Sequence, residues 1–434
     1  MIETRFKKTD IGEIPEDWEV DSLGNIINVL TDYTANGSFA SLAENVTYLD
    51  CIDYARLVRL TDLRVNFKND GVYVSKASYN YLKKSKLYGG EILLANVGAY
   101  AGYSFVYPPK LPFIGTLGPN MFLIKLDNNK IQNSYGIYIF IYGAVFKQLL
   151  SKASSSAQPK LNKDNVRECL FSYPKDKDEQ QRIATALTDI DTLLSSLNKK
   201  IAKKKLIKQG AMQQLLTGKK RLAGFTEPWV EKELGYVCDI KDGTHQTPKY
   251  DLSGIPFYSV ETVTNNDFKH VKYISIKEHL KLIQRYRIKK GDVLMTRIGS
   301  IGLCKYIDWG VFASFYVSLA LLKFENDSLA RYFTHYSTTK DFQKEINNHS
   351  LQFATPKKIN LGNIKLVKIK FPYSKAEQAA IANILSDMDK EIEELEAKRA
   401  KYEQVKQGMM QQLLTGKIRL VKNDTESFFC DEKN

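Results

Sequence analysis

The chain has 434 residues, enough for two or three domains, and its 43% hydrophobic and 26% charged residues are ordinary for a globular protein. The 63 Lys and Arg residues exceed the 49 Asp and Glu residues, and the net charge of +14 favours a polyanionic partner, although a generally lysine-rich composition gives the same excess. No segment approaches the roughly 20 apolar residues of a membrane span, and residues 1–8 show no start of a signal peptide. We therefore expect a cytoplasmic protein.

The chain contains an internal repeat at an offset of 198 residues. Residues 208–222 and 406–420 agree at thirteen of fifteen positions. Weaker matches extend through the rest of both halves: Trp18 with Trp229, Tyr73 with Tyr273, Gly90 with Gly291, Gly98 with Gly299, Gly102 with Gly302, Pro159-Lys160 with Pro356-Lys357, and Glu179-Gln180 with Glu377-Gln378. The flanks of each copy match while the stretches between them differ, which predicts one scaffold with two different surfaces.

In chain order, the repeat predicts a globular domain, a long helix, a second globular domain and a second long helix. Residues 1–175 and 219–374 carry short runs of β-branched and aromatic residues broken by Gly, Asn and Pro, which is typical of strands and loops with a few helices. Helical segments are predicted at 176–218 and 375–420, and a polar tail at 421–434. We therefore predict an α+β protein with two domains in a tandem pseudo-repeat.

Both helical segments carry apolar residues spaced four and three residues apart, the pattern of a coiled coil. We predict long helices at Gln180–Leu216 and Gln378–Leu414, each followed by a Thr-Gly pair that suits a helix C-terminus. The apolar residues predicted to pack these helices are Ile183, Leu187, Ile190, Leu194 and Leu197 in the first, and Ile381, Leu385, Met388, Ile392 and Leu395 in the second.

Charge predicts the direction in which the helices pair. Residues 199–208 contain six lysines and no acid, whereas residues 386–395 contain five acids and one lysine. These segments face each other in an antiparallel pair, but in a parallel pair residues 199–208 would face the basic segment 397–406. We therefore predict antiparallel pairing within one chain, with a globular domain at each end of the rod. The lysines could alternatively form a solvated helix face or contact the phosphates of a polyanionic partner directly.

A search for catalytic and metal-binding motifs finds none that is complete. Gly218-Lys219 and Gly416-Lys417 lack the earlier glycine of a phosphate-binding loop, because Gln213 and Gln411 stand there. Tyr107-Pro108-Pro109-Lys110 lacks the flanking residues of an amino-methyltransferase loop. The five cysteines lie far apart, and the five histidines have no metal-ligand spacing. We predict no catalytic residue and no metal site.

Four features together resemble the specificity subunit of type I restriction–modification enzymes over essentially the whole chain. They are the domain opening from Gly12 through Trp18 to Leu23-Gly24, the strand and loop at 291–302 echoed at 90–102, the closing stretch Ser154–Asn162 followed by Pro174 and Glu179-Gln180, and the Gln-Leu-Leu-Thr-Gly helix ends at 214–218 and 412–416. Each feature alone is weak, but their order, written twice, is specific.

The resemblance implies that each globular domain is a target recognition domain that reads one half of a bipartite, asymmetric site in double-stranded DNA. It implies that the long helices are a spacer and a docking surface for two methyltransferase subunits, which bind S-adenosylmethionine and modify adenine. A restriction subunit would join them to translocate and cut DNA with ATP and Mg²⁺. The chain itself would bind no cofactor and catalyse no reaction.

The two domains differ where DNA contacts are expected. Ala95-Asn96 stands where the second domain has Thr296-Arg297, and Asn36–Phe39 replaces the longer loop Gly243–Pro248. Arg can read guanine and Asn can read adenine, but either can hold a phosphate instead. The residues predicted to contact DNA are Arg59, Arg64, Asn96, Tyr100 and Lys160 in the first domain, and His245, Lys249, Arg297, Ser300 and Lys357 in the second.

Two other classes of function stay open at this point. A fused restriction or modification enzyme would transfer methyl groups from S-adenosylmethionine to DNA without any partner. A purely structural coiled-coil adaptor would not bind DNA tightly or in a salt-dependent way.

Overall fold

The computed structural model describes residues 5–153, 159–351 and 353–421. The predicted tail, apart from residue 421, and part of the Ser154–Asn162 stretch lie outside these ranges. In the part of the chain that is described, no helix is both long and apolar enough to cross a membrane.

Tertiary contacts divide the chain into two units. The first unit comprises Met1–Ser196 and Arg399–Asn434, and the second comprises Leu197–Lys398. Each of the two long helices crosses from one unit into the other, so the units are not the consecutive segments that were drawn from the sequence. The predicted domain limits stay a prediction.

The first unit contains most of its strands and short helices before the first long helix. Its strands are β1 (Phe6–Thr9), β2 (Gly12–Pro15), β3 (Trp18–Ser22), β4 (Ile27–Asp32), β5 (Ala55–Val58), β6 (Tyr73–Val74), β7 (Lys86–Leu87), β8 (Ile92–Ala95), β9 (Ser104–Val106), β10 (Ile114–Leu117), β11 (Met121–Leu126) and β12 (Leu170–Pro174). Its helices are α1 (Leu23–Ile26), α2 (Phe39–Asn45), α3 (Leu60–Arg64), α4 (Lys76–Tyr81), α5 (Asn133–Ile141), α6 (Ala144–Ala153) and α7 (Lys163–Arg167), with 3₁₀ turns at Tyr33–Asn36 and Lys83–Ser85.

Two four-stranded sheets form the core of the first unit. One has the order β4-β11-β8-β9, and the other has the order β6-β5-β10-β7. Successive side chains of a strand point to opposite sides of its sheet, and strand β11 carries apolar residues on both sides. Phe122 and Ile124 pack with α5 and α6, whereas Leu123 packs with Val58 of β5. Strand β12 pairs antiparallel with β3, so the last strand of this region closes onto its start.

The second unit repeats this plan. Its strands are β13 (Trp229–Glu233), β14 (Cys238–Asp242), β15 (Tyr250–Asp251), β16 (Ile255–Tyr258), β17 (Lys272–Ile274), β18 (Val293–Thr296), β19 (Cys304–Tyr306), β20 (Ser314–Phe315), β21 (Leu319–Phe324) and β22 (Lys368–Pro372). Its short helices are α9 (Val260–Thr264), α10 (Ile276–Leu282), α11 (Asp327–Tyr336), α12 (Lys340–Asn348) and α13 (Leu361–Lys365), with a 3₁₀ turn at Leu234–Tyr236.

The three sheets of the second unit match sheets of the first unit except at one edge, and the two-stranded β1–β2 sheet occurs in the first unit. The order β14-β21-β18-β19 repeats β4-β11-β8-β9, and β13 pairs with β22 as β3 pairs with β12. In the other four-stranded sheet, β17-β16-β20 corresponds to β6-β5-β10. The extra strand lies on opposite edges, as β7 beside β10 in the first unit and as β15 beside β17 in the second. The tandem α+β repeat predicted from the sequence is confirmed.

The long helices are α8 (Lys177–Leu215) and α14 (Lys375–Leu413), of 39 residues each. They begin three residues before the predicted starts and end one residue before the predicted ends. Seven of the ten predicted packing residues are buried: Ile183, Leu187, Ile190, Leu197, Ile381, Leu385 and Ile392. The other three, Leu194, Met388 and Leu395, are half-buried.

Within each unit, the two helices run antiparallel. In the first unit, Ile183 and Leu187 of α8 share a core cluster with Met410 and Leu413 of α14. In the second unit the roles are exchanged, since Leu215 of α8 packs with Ile381 and Leu385 of α14. The predicted antiparallel direction is therefore observed in both units.

The charged segments also pair as their sequences predict. In the second unit, Lys204 lies 2.7 Å from Glu391, Lys205 lies 2.7 Å from Glu396, and Lys208 pairs with Asp389. In the first unit, Lys406 of α14 pairs with Asp191 of α8 at 2.5 Å. Half of the six lysines in the basic segment thus have an acidic partner on the other helix.

An ion pair between a partly exposed arginine and a buried glutamate joins the end of one long helix to the start of the other. In the first unit, Arg419 donates from Nε and Nη2 to the two carboxylate oxygens of Glu179, at 2.7 and 2.8 Å, and also to Asp17. The hydrogen bond with Glu179 is the main cause that raises the pKa of Arg419. In the second unit, Arg221 makes the same bidentate contact with Glu377 at 2.7 Å. Both glutamates are fully buried.

The glutamine that follows each glutamate is buried as well and fixes the first turn of its helix. Gln180 accepts from the backbone N–H of Gln132 and donates to the carbonyl of Pro174. Gln378 donates in the same way to Pro372 and accepts from the side chain of Asn326. The repeated Glu-Gln pair is therefore a structural feature of both units.

Removing one partner of the buried pair should destabilise the first unit strongly. We expect Arg419→Ala to lower the free energy of unfolding by about 3–5 kcal/mol, because it leaves the buried Glu179 carboxylate without its cation. Arg167→Ala removes an exposed partner of Asp164 in the same unit and should cost about 1 kcal/mol or less. Chemical denaturation of both variants measures the difference, and equal losses would contradict the buried role of Arg419.

The helix charges should be exchangeable across the antiparallel pair. We expect Lys204→Glu with Lys208→Glu to lower the melting temperature, because each like-charge contact replaces an exposed pair worth about 0.2–1 kcal/mol. Adding Glu391→Lys and Asp389→Lys in the same chain should restore it. The prediction would be contradicted if the melting temperature of the fourfold variant did not recover. If the two lysine substitutions alone also impaired DNA binding, the result would favour direct contact between these lysines and DNA phosphates.

Candidate nucleic-acid interface

Two positions at strand ends correspond between the units. Asp32 ends β4 and pairs across the sheet with Phe122, whereas Asp242 ends β14 and pairs with Ala320. Two strands away in the same sheet, Asn96 follows β8 as Arg297 follows β18. The repeat of sheet register therefore makes Asp32 equivalent to Asp242 and Asn96 equivalent to Arg297.

Three chain segments converge at these strand ends in each unit. The turn after β8 is closed by a hydrogen bond from Gly102 N to Ala95 O, and the turn after β18 by one from Gly302 N to Thr296 O. These glycines have φ of +95° and +82°, a backbone conformation that favours glycine. We call residues 32–39, 96–103 and 159–163 the loop face of the first unit.

The corresponding loop face of the second unit comprises residues 242–249, 297–303 and 357–361. Its third segment is attached by Ile359 N, which donates to Arg297 O, just as Leu161 N donates to Asn96 O in the first unit. The second and third segments of the two loop faces thus share their backbone hydrogen bonds, whereas the first segments differ, because Tyr33–Asn36 forms a 3₁₀ turn that residues 243–249 lack.

The loop face of the first unit surrounds a cavity of about 490 Å³, lined among others by Asp32, Asn96, Lys160 and Lys163. Lys163 Nζ lies 2.9 Å from Asp32 Oδ2. Burial alone would raise the pKa of Asp32, but hydrogen bonds from Lys163 and Thr34 outweigh it, so the pKa is lowered and the carboxylate stays charged. The Oδ1 atom of Asn96 is buried without a hydrogen-bond partner.

The structure brings four of the five predicted residues of the first unit into two pairs. Asn96 and Lys160 line the same cavity. Arg64 is exposed, and its guanidinium lies 4.2 Å from the ring centre of Tyr100. Arg59 lies at the start of α3, where its side chain is 38% exposed and its Nε is 3.5 Å from Asp62. Arg64 and Lys160 are exposed, whereas Arg59, Asn96 and Tyr100 are half-buried.

The loop face of the second unit is organised around Asp242. His245 Nε2 lies 2.6 Å from Asp242 Oδ2, and the guanidinium of Arg285 lies 3.5 Å from Oδ1. Arg297 approaches the same carboxylate at 4.0 Å. A cavity of about 290 Å³ is lined by Asp242, His245 and Arg285, together with Lys281 and others. Cations therefore outnumber acids here.

Arg297 is not placed as an exposed base reader. Its side chain is buried, its Nε donates to Val317 O at 2.7 Å, and its Nη1 donates to Ile359 O at 3.4 Å. Burial lowers the pKa of Arg297, against the opposing effect of Asp242. The guanidinium thus ties the three segments of the loop face together, and its position does not support the base contact expected from the sequence.

The remaining predicted residues of the second unit lie at its surface. Lys249 and Ser300 are exposed, and Lys357 donates to the side chain of Asn347. The bridges Val97–Lys160 and Ile298–Lys358 show that Lys358, not Lys357, is the structural equivalent of Lys160. The sequence match of Pro159-Lys160 with Pro356-Lys357 is therefore wrong by one residue.

Several residues of the loop faces were missed from the sequence. Asp32 and Asp242 hold the cations of their loops, and Arg285 and Lys163 supply additional positive charge. A signal was present, because Asp32-Tyr33-Thr34 and Asp242-Gly243-Thr244 share an Asp-x-Thr pattern at equivalent strand ends. The pattern is too short to stand out without the strand register.

Comparison with known families identifies the class of protein. A model of the type I restriction modification DNA specificity domain matches residues 15–208 and again residues 226–406. The chain therefore belongs to the family of type I restriction–modification specificity subunits, which recognise DNA sequences and are themselves non-catalytic.

Individual relatives agree with this membership. The chain is 27% identical to a putative type I restriction enzyme specificity subunit, MjaX, of Methanocaldococcus jannaschii, with 96% of this chain and 97% of that protein covered. It is 26% identical to the MjaVIII specificity subunit of the same organism, with 97% of each covered.

Solved structures share the fold. The S subunit of a type I restriction–modification system from M. genitalium aligns with a TM-score of 0.62 at 15% identity, covering 94% of this chain and 97% of that one. A chain from a structure on complex assembly and conformational transition of the type I R-M system aligns with a TM-score of 0.52 at 17% identity, covering 93% and 99%.

Proposed function

We propose that this chain reads a bipartite, asymmetric DNA site, one half with each unit. The observation that carries the proposal is the pair of loop faces, which share the backbone hydrogen bonds of two segments but differ in the first segment and in their side chains. One face presents Asn96 and Lys160, and the other presents His245, with Arg285 lining the same cavity. A shared scaffold with different polar groups suits two half-sites of different sequence.

Charge supports binding to a duplex. The loop faces carry exposed cations, Lys160 in the first unit and Lys249 and Lys358 in the second, in a chain of net charge +14. Such cations neutralise phosphates and release counterions, so affinity should fall steeply as salt rises. The phosphate contacts would position the units, and the polar groups of the cavities would read bases.

We further propose that the long helices dock two methyltransferase subunits, which would bind S-adenosylmethionine, and that a restriction subunit using ATP and Mg²⁺ joins them in the cytoplasm. Glycines support a docking surface on the helices. Gly210 of α8 and Gly408 of α14 have nothing within 4 Å of where a Cβ would stand. A glycine inside a helix costs about 0.5–1 kcal/mol of stability relative to alanine. Since no neighbouring atom in the described chain requires a glycine at either position, its presence in both helices suggests that a partner approaches the backbone closely there.

Apolar residues lie beside both glycines. Ile207 is 46% exposed and Val405 is 41% exposed, and each precedes its glycine by three residues, which places it on the same helix face. Two equivalent sites in one chain suit two copies of one partner.

Exchange of one domain tests the bipartite reading. Replacing residues 24–175 with the matching domain of a relative should change the first half of the recognised site and leave the second half unchanged, because each loop face belongs to one unit. Mapping of methylated adenines by the assembled complex gives both halves at once. Simultaneous change of both halves would contradict independent reading, and equal affinity for scrambled DNA at moderate salt would contradict sequence recognition.

Bulky substitution tests the docking surface. We expect Gly210→Leu with Gly408→Leu to leave the chain folded but to weaken methyltransferase binding at least tenfold, because a side chain then fills the space of close approach. Asn198→Leu adds the same side chain at an exposed position about 120° away around α8 and serves as the control. Titration of the methyltransferase followed by mass photometry measures binding, and undiminished assembly of the double variant would exclude these glycines from the interface.

A further inference from the structure

The Asp242–His245 pair has the geometry of an oriented hydrogen-bonding group. The Asp242 side chain is 10% exposed, whereas the His245 side chain that it holds is 61% exposed. The carboxylate is thus part of the wall of the cavity, and the imidazole projects from that wall. The guanidinium groups of Arg285 and Arg297 lie 3.5 and 4.0 Å from the same carboxylate.

The carboxylate determines which imidazole nitrogen carries the proton. Asp242 Oδ2 can only accept a hydrogen bond, and His245 Nε2 lies 2.6 Å from it, so Nε2 is the protonated nitrogen of the neutral ring. The other nitrogen, Nδ1, then carries a lone pair. No hydrogen bond to Nδ1 is found among the residues that the structure describes.

We propose that His245 Nδ1 accepts a hydrogen bond from the exocyclic amine of one base in the second half-site. The inference rests on the proposed function and names a specificity-determining residue within it. A hydrogen-bond acceptor distinguishes the amino bases adenine and cytosine from the keto bases guanine and thymine in the major groove. A phosphate oxygen offers no donor to a bare nitrogen, so the backbone contacts at this cavity fall to Arg285 and Lys281.

The first unit has no counterpart to this group. The residue equivalent to His245, three positions after the strand-end aspartate, is Ala35, whose backbone N–H donates to Asp32 Oδ1 at 2.8 Å. Lys163 provides the cation for that aspartate. The effect of His245 must therefore be confined to the second half-site.

The test uses the full chain assembled with its methyltransferase partners and a library of randomised duplexes. Wild type should prefer an amino base over a keto base on one strand at one position of the second half-site. His245→Ala should remove that preference and leave every other position unchanged. The loss expected for one hydrogen bond is roughly two- to tenfold in affinity.

Removing the exocyclic amine from the DNA completes a double-mutant cycle between His245 and the base. At the identified position, adenine is replaced by purine, or cytosine by 2-pyrimidinone, each of which lacks the exocyclic amine. Wild type should lose the same factor as it loses through His245→Ala, and the variant should lose nothing further. Additive losses would overturn the proposal, because they would mean that His245 and the amine act independently.

A matched control lies in the same unit. His270 Nδ1 is 3.0 Å from Asp267 Oδ2 and its side chain is 88% exposed, but it lines a different cavity. His270→Ala should leave the preference intact. Uniform weakening at all positions by His245→Ala would assign His245 to a phosphate and overturn the proposal. Absence of any sequence preference in wild type would instead contradict the proposed function.

Discussion

The arrangement of the chain depends on two buried carboxylates that have to be neutralised. Glu179 and Glu377 stand in the first turns of the long helices and are fully buried. A buried carboxylate is costly unless a cation pairs with it, and each finds its cation in the arginine that follows the other helix. These two pairs impose the antiparallel direction in each unit, and the charged rows along α8 and α14 add to it only modestly.

The loop faces depend on this frame. The turn after β8 or β18 and the segment before α7 or α13 are held together by backbone hydrogen bonds that recur in both units. The strand that ends in the aspartate, β4 or β14, lies at the edge of the same sheet. The side chains exposed from that backbone can therefore change without disturbing the core. The aspartate at this equivalent position pairs with His245 in the second unit, as Asp242, and with Lys163 in the first unit, as Asp32.

The sequence predicted the long helices, their direction and the tandem α+β repeat because periodicity, charge and self-similarity are properties of the chain itself. It did not predict the burial of Arg297, since the identity of a side chain does not reveal whether its donors face solvent or backbone carbonyls such as Val317 O. The strand register that aligns Lys160 with Lys358 depends on pairing across the sheet. The same pairing was needed to find Asp32 and Asp242, because equivalence at strand ends is a three-dimensional relation.

The separation of Glu179 from Arg419 by 240 residues has a consequence for the order of events during synthesis. A nascent chain exposes Glu179 long before its partner leaves the ribosome, whereas the whole of Leu197–Lys398 is contiguous. The second unit can therefore complete its contacts while translation continues. The first unit has to wait until the residues from Arg399 to Arg419 have been synthesised, and until then Ile183 and Leu187 lack the residues of α14 that cover them.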